Sequence, residues 1–134
     1  MALEKAMIVA GIGCRRGSSA DAIASAIGNA LAEHGLTTAA IDRLATGEFK
    51  RTELGISLAA QNLNVPLLIV NNAGLESTSA RCLTFSEKSM KLTGAPSLSE
   101  AAALFVAGKN ARLLGPRFAQ DGVTCALAKP ESDA

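Results

Sequence analysis

The residues best suited to do chemistry lie near the start of the chain, in the run Gly11-Ile12-Gly13-Cys14-Arg15-Arg16-Gly17-Ser18-Ser19. Glycines let a backbone turn tightly and approach a ligand, and free N–H groups before a helix favour an anion. Arg15 and Arg16 add guanidinium forks of the kind that grip carboxylate or phosphate. The run therefore reads as an anion-binding loop made of Gly11, Gly13, Cys14, Arg15, Arg16, Gly17 and Ser18. The plainer alternative is a strand-to-helix turn with solvated arginines. The GxGxxxG spacing approaches a dinucleotide fingerprint, but the acidic residue expected about 20 positions on is missing, since Asp42 and Glu48 come late. A P-loop also fails, because no Lys-Ser or Lys-Thr follows the last glycine.

Cys14 stands beside two cations and a helix start, a setting that lowers a thiol pKa and makes it a candidate nucleophile. No activating base accompanies it. The one histidine, His34, falls at the far end of the following helix, where it answers the helix dipole. In Glu48-Phe49-Lys50-Arg51-Thr52-Glu53, Lys50 could complete an anion pocket, if this segment follows a strand parallel to the first. A solvated charge cluster capping the next helix is the competing reading. Arg117, after Gly115-Pro116, is a third cationic candidate. Cys82 and Cys125 read as small apolar fillers, and three widely spaced cysteines encode neither a disulfide framework nor a zinc site. No metal and no cofactor is called for.

These groups must be positioned by an alternation of strands and helices. Ala6 to Ala10 reads as a buried central strand, and Ser18 or Ser19 caps a helix whose Ile23, Ile27 and Leu31 recur until Gly35. Thr37-Thr38 can cap a single turn before a strand over Arg43 to Phe49. Leu54, Leu58 and Leu63 space a second helix within Thr52 to Leu63, and Pro66 opens a buried run, Leu67 to Val70. Asn71 to Thr84 has little periodicity and reads as a mobile loop. A short helix over Ser86 to Leu92 precedes Gly94, and Ser97-x-x-Glu100 is a capping box for a helix to Ala107, with Leu104 and Phe105 facing inward. Ala111 to Leu114 and Val123 to Ala128 close the chain as a hairpin, with Asp121-Gly122 as a turn. The result is an α/β domain with a mixed, roughly five-stranded sheet, ending in a tail over residues 129–134.

Composition narrows the function classes. The 134 residues suit one domain, and 26 alanines favour a close-packed core of small side chains. A net charge of +1 argues against coating a polyanion, and four phenylalanines without Trp or Tyr offer no base-stacking surface, so no nucleic-acid partner is expected. The stretch Met1 to Val9 is too short and too charged for a leader or membrane span. Unpaired cysteines fit a reducing cytoplasm.

Several motifs, in order along the chain, are familiar. The run Gly11 to Ser18, Ala45-Thr46 to Lys50 with Glu53-Leu54, Ser86-Glu87, Gly94-Ala95-Pro96-Ser97 leading into Glu100 to Leu104, and Gly122-Val123-Thr124 with Ala126 together resemble the CobE/CbiG C-terminal domain family of cobalamin biosynthesis. The likeness runs from about Met7 to Ala128. It implies a three-layer α/β/α fold and a role in corrin-ring synthesis. Longer CbiG-type proteins carry the domain behind others and are similar to enzymes that open a cobalt-precorrin lactone. Without that preceding portion, this chain is similar to the stand-alone form of the aerobic, late-cobalt-insertion route to hydrogenobyrinic acid. By motif, Gly11, Gly13, Cys14, Arg15, Gly17, Ser18, Lys50 and Glu53 carry over. Arg117 stands where many relatives have lysine, and Asn71 to Thr84 departs from the pattern.

A precorrin is a macrocycle rimmed by carboxylates, for which Arg15, Arg16 and Lys50 are fitting donors. The first expectation is a binder or carrier of a precorrin or hydrogenobyrinic acid-type tetrapyrrole. The alternative is an enzyme acting on it by lactone hydrolysis or assisted ring contraction, with Glu53 or Lys50 as acid or base and Cys14 as nucleophile. A third is an accessory subunit docking on another enzyme of the pathway. Dinucleotide binding at the glycine loop stands last.

Overall fold

The computed structural model describes residues 8–130. Ile8–Cys14 forms β1, buried from Ile8 to Gly13, as an uncharged run at the centre of a sheet must be. Ala6 and Met7, and the N-terminal stretch weighed as a leader up to that point, lie outside the described residues, as do residues 131–134 of the expected tail. Ser19 caps α1 (Ala20–Ala32) by accepting the Ala22 N–H at 3.0 Å, and Ile23, Ile27 and Leu31 turn inward. A 3-10 turn at Thr38–Ala40 leads into β2 (Ile41–Gly47). The strand ends two residues earlier than its pattern predicts, because Glu48–Lys50 coils into a second 3-10 turn.

There follow α2 (Leu54–Leu63), β3 (Leu67–Val70), α3 (Asn72–Ser77), α4 (Glu87–Thr93) and α5 (Leu98–Ala107). Three strands complete the sheet: β4 (Arg112–Leu113), β5 (Phe118–Gln120) and β6 (Val123–Lys129). The strand order is β3-β2-β1-β6-β4, with β5 also paired to β6. β1, β2 and β3 are parallel, whereas β6 runs antiparallel to β1 and to both β4 and β5.

Side chains of α1 and α2 pack with Ile12, Leu44 and Cys125 on one face of the sheet. Leu75 of α3 and the alanines of α5 pack with Val9, Ala45 and Ala126 on the other. The fold is thus a three-layer α/β/α sandwich on a mixed sheet, with six strands where five are expected. Ala101, Ala102 and Ala103 allow α5 to lie close on β1. A Cβ on Gly11 would fall 1.9 Å from the Ser99 carbonyl oxygen, so this glycine serves helix packing rather than a ligand.

Other expectations are corrected. Asn71 to Thr84 is not a structureless loop but α3 and a 3-10 turn at Ser79–Arg81. Its polar residues cap and back-bond: Asn71 accepts the Gly74 N–H, and buried Thr78 donates to a main-chain carbonyl. β3 is an edge strand with Ile69 exposed, not a buried one. In α2, Leu54 is 74% exposed and Leu58 also faces out, while Gly55, Ile56, Ala59 and Ala60 are buried. The small residues win the inner face because α2 lies close to the glycine loop: a Cβ on Gly55 would fall 2.2 Å from the Ser18 carbonyl oxygen. Phe105 is likewise exposed, while Leu104 is buried. Lys129 belongs to β6 rather than to a tail.

Candidate functional site

The carboxyl ends of β1 and β2 and the first residues of β6 open into a cleft of about 240 Å³. α4 forms a second wall and Leu98 of α5 the floor. Four cations line it, Arg15, Lys50, Lys88 and Arg117, and no carboxylate does. Among the described residues the one ion pair is Arg43 with Asp42, so none of the four is neutralised by a salt bridge there. Phe49, Leu92 and Leu98 supply apolar surface between the charges.

Each cation is placed by its local structure. The Arg15 N–H donates to the Gly122 carbonyl at 3.0 Å, and its guanidinium lies across that glycine. Lys50 sits over the Phe49 ring, 5.4 Å from its centroid, which fixes the ammonium beside an aromatic wall. Lys88 and Leu92 are four residues apart on α4, whose N-cap Ser86 accepts the Ser89 N–H. Arg117 comes from an excursion of the sheet edge. Leu113 pairs with Ala128 and Phe118 with Cys125, so Leu114 to Arg117 oppose only Ala126 and Leu127 and must bulge outward. Gly115-Pro116 suits such a bulge, since proline has no N–H to give a ladder. The Arg117 N–H instead donates to the Glu100 carboxylate at 2.9 Å.

Of the residues singled out from sequence, Gly13, Cys14, Arg15, Lys50 and Arg117 line the cleft. Gly11, Arg16, Gly17, Ser18 and Glu53 do not. The Gly17 N–H donates to Glu53 Oε1 at 2.9 Å, so the anion that meets this N–H is the chain's own carboxylate. Ser18 donates to the Arg15 carbonyl, and Gly17 supplies the turn with φ +79°. His34 rests against Gly115 and lines no part of the cleft. Lys88, Phe49, Leu92 and Leu98 escape the sequence reading; the Lys88/Leu92 spacing after the Ser86 cap is the signal that could have found two of them.

The thiols differ from expectation at one point. Burial pushes Cys14 above the ordinary thiol value, outweighing the opposing pull of Lys50 and a Ser18 hydrogen bond, so it is not a lowered-pKa nucleophile. Burial, assisted by Glu100, pushes Cys82 up to about 11, and complete burial pushes Cys125 up to about 12. Among the described residues no group of three or more His, Cys, Asp or Glu is placed to hold a metal ion. No helix among them is long and apolar enough to cross a membrane.

Fold and cleft together define an α/β/α protein with a cation-lined opening at its strand ends. Residues 8–128 match the family described as Cobalamin synthesis G C-terminus, and the chain belongs to that family. It is 32% identical to Protein CobE of Sinorhizobium sp over 123 residues, 92% of this chain and 80% of that protein. A crystal structure of CobE, a protein from the cobalamin (vitamin B12) biosynthetic pathway, superposes with a TM-score of 0.91 at 36% identity, covering 96% of this chain and 93% of the other. The cobalamin biosynthesis protein chiG from Agrobacterium tumefaciens str. C58 is 44% identical, with a TM-score of 0.76 over 94% of this chain and all of that one (100%). Membership places the chain in cobalamin biosynthesis and bears out both the resemblance and the fold class read from sequence.

Proposed function

We propose that this protein binds an anionic intermediate of corrin-ring synthesis, a precorrin or hydrogenobyrinic acid-type tetrapyrrole, and carries it without converting it. The observation that carries the reading is the set of four cations, with no acid among them, around one apolar-walled cleft. Carboxylates on the ligand rim pair with Arg15, Lys50, Lys88 and Arg117, and the ring edge rests on Phe49, Leu92 and Leu98. Each such pair is worth about 0.5–1 kcal/mol at a partly solvated site, so the four together tighten binding by roughly two orders of magnitude. The cleft is smaller than a corrin macrocycle, so it takes one edge of the ring and leaves the opposite edge accessible to the enzyme that uses it next. Three free cysteines are in keeping with a reducing cytoplasm as the place of work.

Binding is favoured over catalysis because two of the three candidate catalytic groups, Cys14 and Glu53, are poorly disposed, and Lys50 is left without a nucleophile to serve. The Cys14 thiol is held protonated, and Glu53 is engaged with Gly17 away from the cleft lining. The test follows hydrogenobyrinic acid and an earlier precorrin with the protein by absorbance and product mass. A saturable spectral change with unchanged mass supports the carrier. A product of new mass makes the protein a precorrin-converting enzyme and overturns it.

A further inference from the structure

Glu100, the third residue of α5, is wholly buried at 0% exposure and forms no ion pair with any cation among the described residues. A carboxylate in such a place needs several donors, and this one has four. Oε1 accepts from the Leu83 N–H at 2.8 Å, the Thr84 N–H at 2.9 Å and the Thr84 hydroxyl at 3.1 Å. Oε2 accepts from the Arg117 N–H at 2.9 Å. The Ser97 hydroxyl caps the Glu100 N–H, but the carboxylate turns away from the reciprocal bond of a capping box and spends its acceptors on these distant segments.

Those segments lead to different cations of the cleft lining. Thr84 is two residues before Ser86, whose N–H is fixed on the Pro96 carbonyl and whose hydroxyl starts α4, the bearer of Lys88 and Leu92. Arg117 ends the bulge that brings the fourth cation to the rim. One carboxylate thus ties the approach to α4 to the backbone of Arg117.

We propose that Glu100 is a positioning residue for the anion site: it fixes Arg117 relative to the Lys88 wall without touching ligand itself. The proposal rests on the cleft being the ligand site. Glu100→Gln is the informative change. A carboxamide retains one oxygen for Leu83 and Thr84 but sets its NH2 against the Arg117 N–H, donor to donor.

The experiment is an optical titration of hydrogenobyrinic acid into the wild type, Glu100→Gln, Arg117→Ala, Lys50→Ala and the double variants that pair Glu100→Gln with each of the latter two. Glu100→Gln is expected to weaken binding about tenfold, roughly the worth of one charge-assisted hydrogen bond. Its effect is expected to vanish in the Arg117→Ala background and to persist undiminished in the Lys50→Ala background. Wild-type affinity in folded Glu100→Gln, or a full loss on top of Arg117→Ala, overturns the role of Glu100 while leaving the cleft reading intact. Absence of wild-type binding, or wild-type affinity in both Arg117→Ala and Lys50→Ala, overturns the cleft reading and with it the role assigned to Glu100.

Should Glu100→Gln not fold, native-state hydrogen exchange on the wild type tests the tie. The Leu83, Thr84 and Arg117 amides are expected to open together with one common free energy. Arg117 opening independently of the other two overturns the proposal.

Discussion

The guanidinium of Arg15 lies across Gly122 so closely that a Cβ at residue 122 would stand 2.4 Å from Arg15 Nε. The turn residue at the start of β6 and a cation from the end of β1 are therefore one structural unit. Gly122 has φ +78° and follows Asp121 at φ +51°, the pairing of left-handed residues that a tight hairpin demands. The same glycine that closes the hairpin leaves the room that the Arg15 side chain occupies.

Gly122→Ala is expected to reproduce the binding defect of Arg15→Ala although it removes no charge. It also costs about 1 kcal/mol of stability through the strained φ. Parallel titrations with hydrogenobyrinic acid and thermal melts check both. Unchanged affinity in a folded Gly122→Ala protein would show that the placement of Arg15 over this turn does not matter.

Gly11 and Gly17 belong to one motif but do different work. A Cβ at residue 11 meets main-chain atoms of α5, whereas one at residue 17 meets nothing within 4 Å and is opposed only by a φ of +79°. Gly11→Ala is expected to destabilise by at least 3 kcal/mol or to prevent folding, and Gly17→Ala by about 1 kcal/mol. Urea denaturation midpoints decide; equal losses for the two would contradict the assignment of Gly11 to helix packing.

Two thiols, half-buried Cys82 and buried Cys125, give the protein an alkaline weakness. Cys82 and Cys125 are raised to about 11 and about 12 from the ordinary 9.0. Below pH 9 both states keep these protons, so the thiols leave stability unchanged with pH. Above it the unfolded chain releases protons that the folded chain retains, and stability falls as pH climbs toward 11 to 12. Denaturation midpoints should drop between about pH 9 and about pH 11, and drop less in Cys82→Ser/Cys125→Ala. An equal drop in the double variant would refute the thiols as its source.

Much of the scaffold is legible because side-chain caps and unbroken apolar runs are local signals. Ser19, Ser86 and Ser97 each accept an N–H at the start of a helix read from the chain, and the run into Ala10 marks the central strand. The features that differ from the sequence pattern depend on packing partners. Leu54 and Leu58 carry the helical spacing of α2, yet Gly55 and the alanines face the core because the glycine loop lies there. Phe118-Ala119-Gln120 is too short to show alternation, and only its pairing with β6 reveals a strand. At the site, Arg15 and Arg16 are indistinguishable by type, and the fold brings one to the cleft and leaves the other outside it. Lys88 is distant in sequence from the loop it faces, and only its spacing to Leu92 after the Ser86 cap points to it.

That contrast between neighbouring arginines can be read directly in ligand binding. Hydrogenobyrinic acid is titrated into the wild type, Arg15→Glu, Lys88→Glu and Arg16→Glu under identical salt. Wild-type binding is expected to be saturable, weakened at least tenfold by either cleft reversal and less than threefold by Arg16→Glu. Equal losses for Arg15→Glu and Arg16→Glu with none for Lys88→Glu would contradict this expectation, placing the ligand on the glycine loop rather than in the cleft.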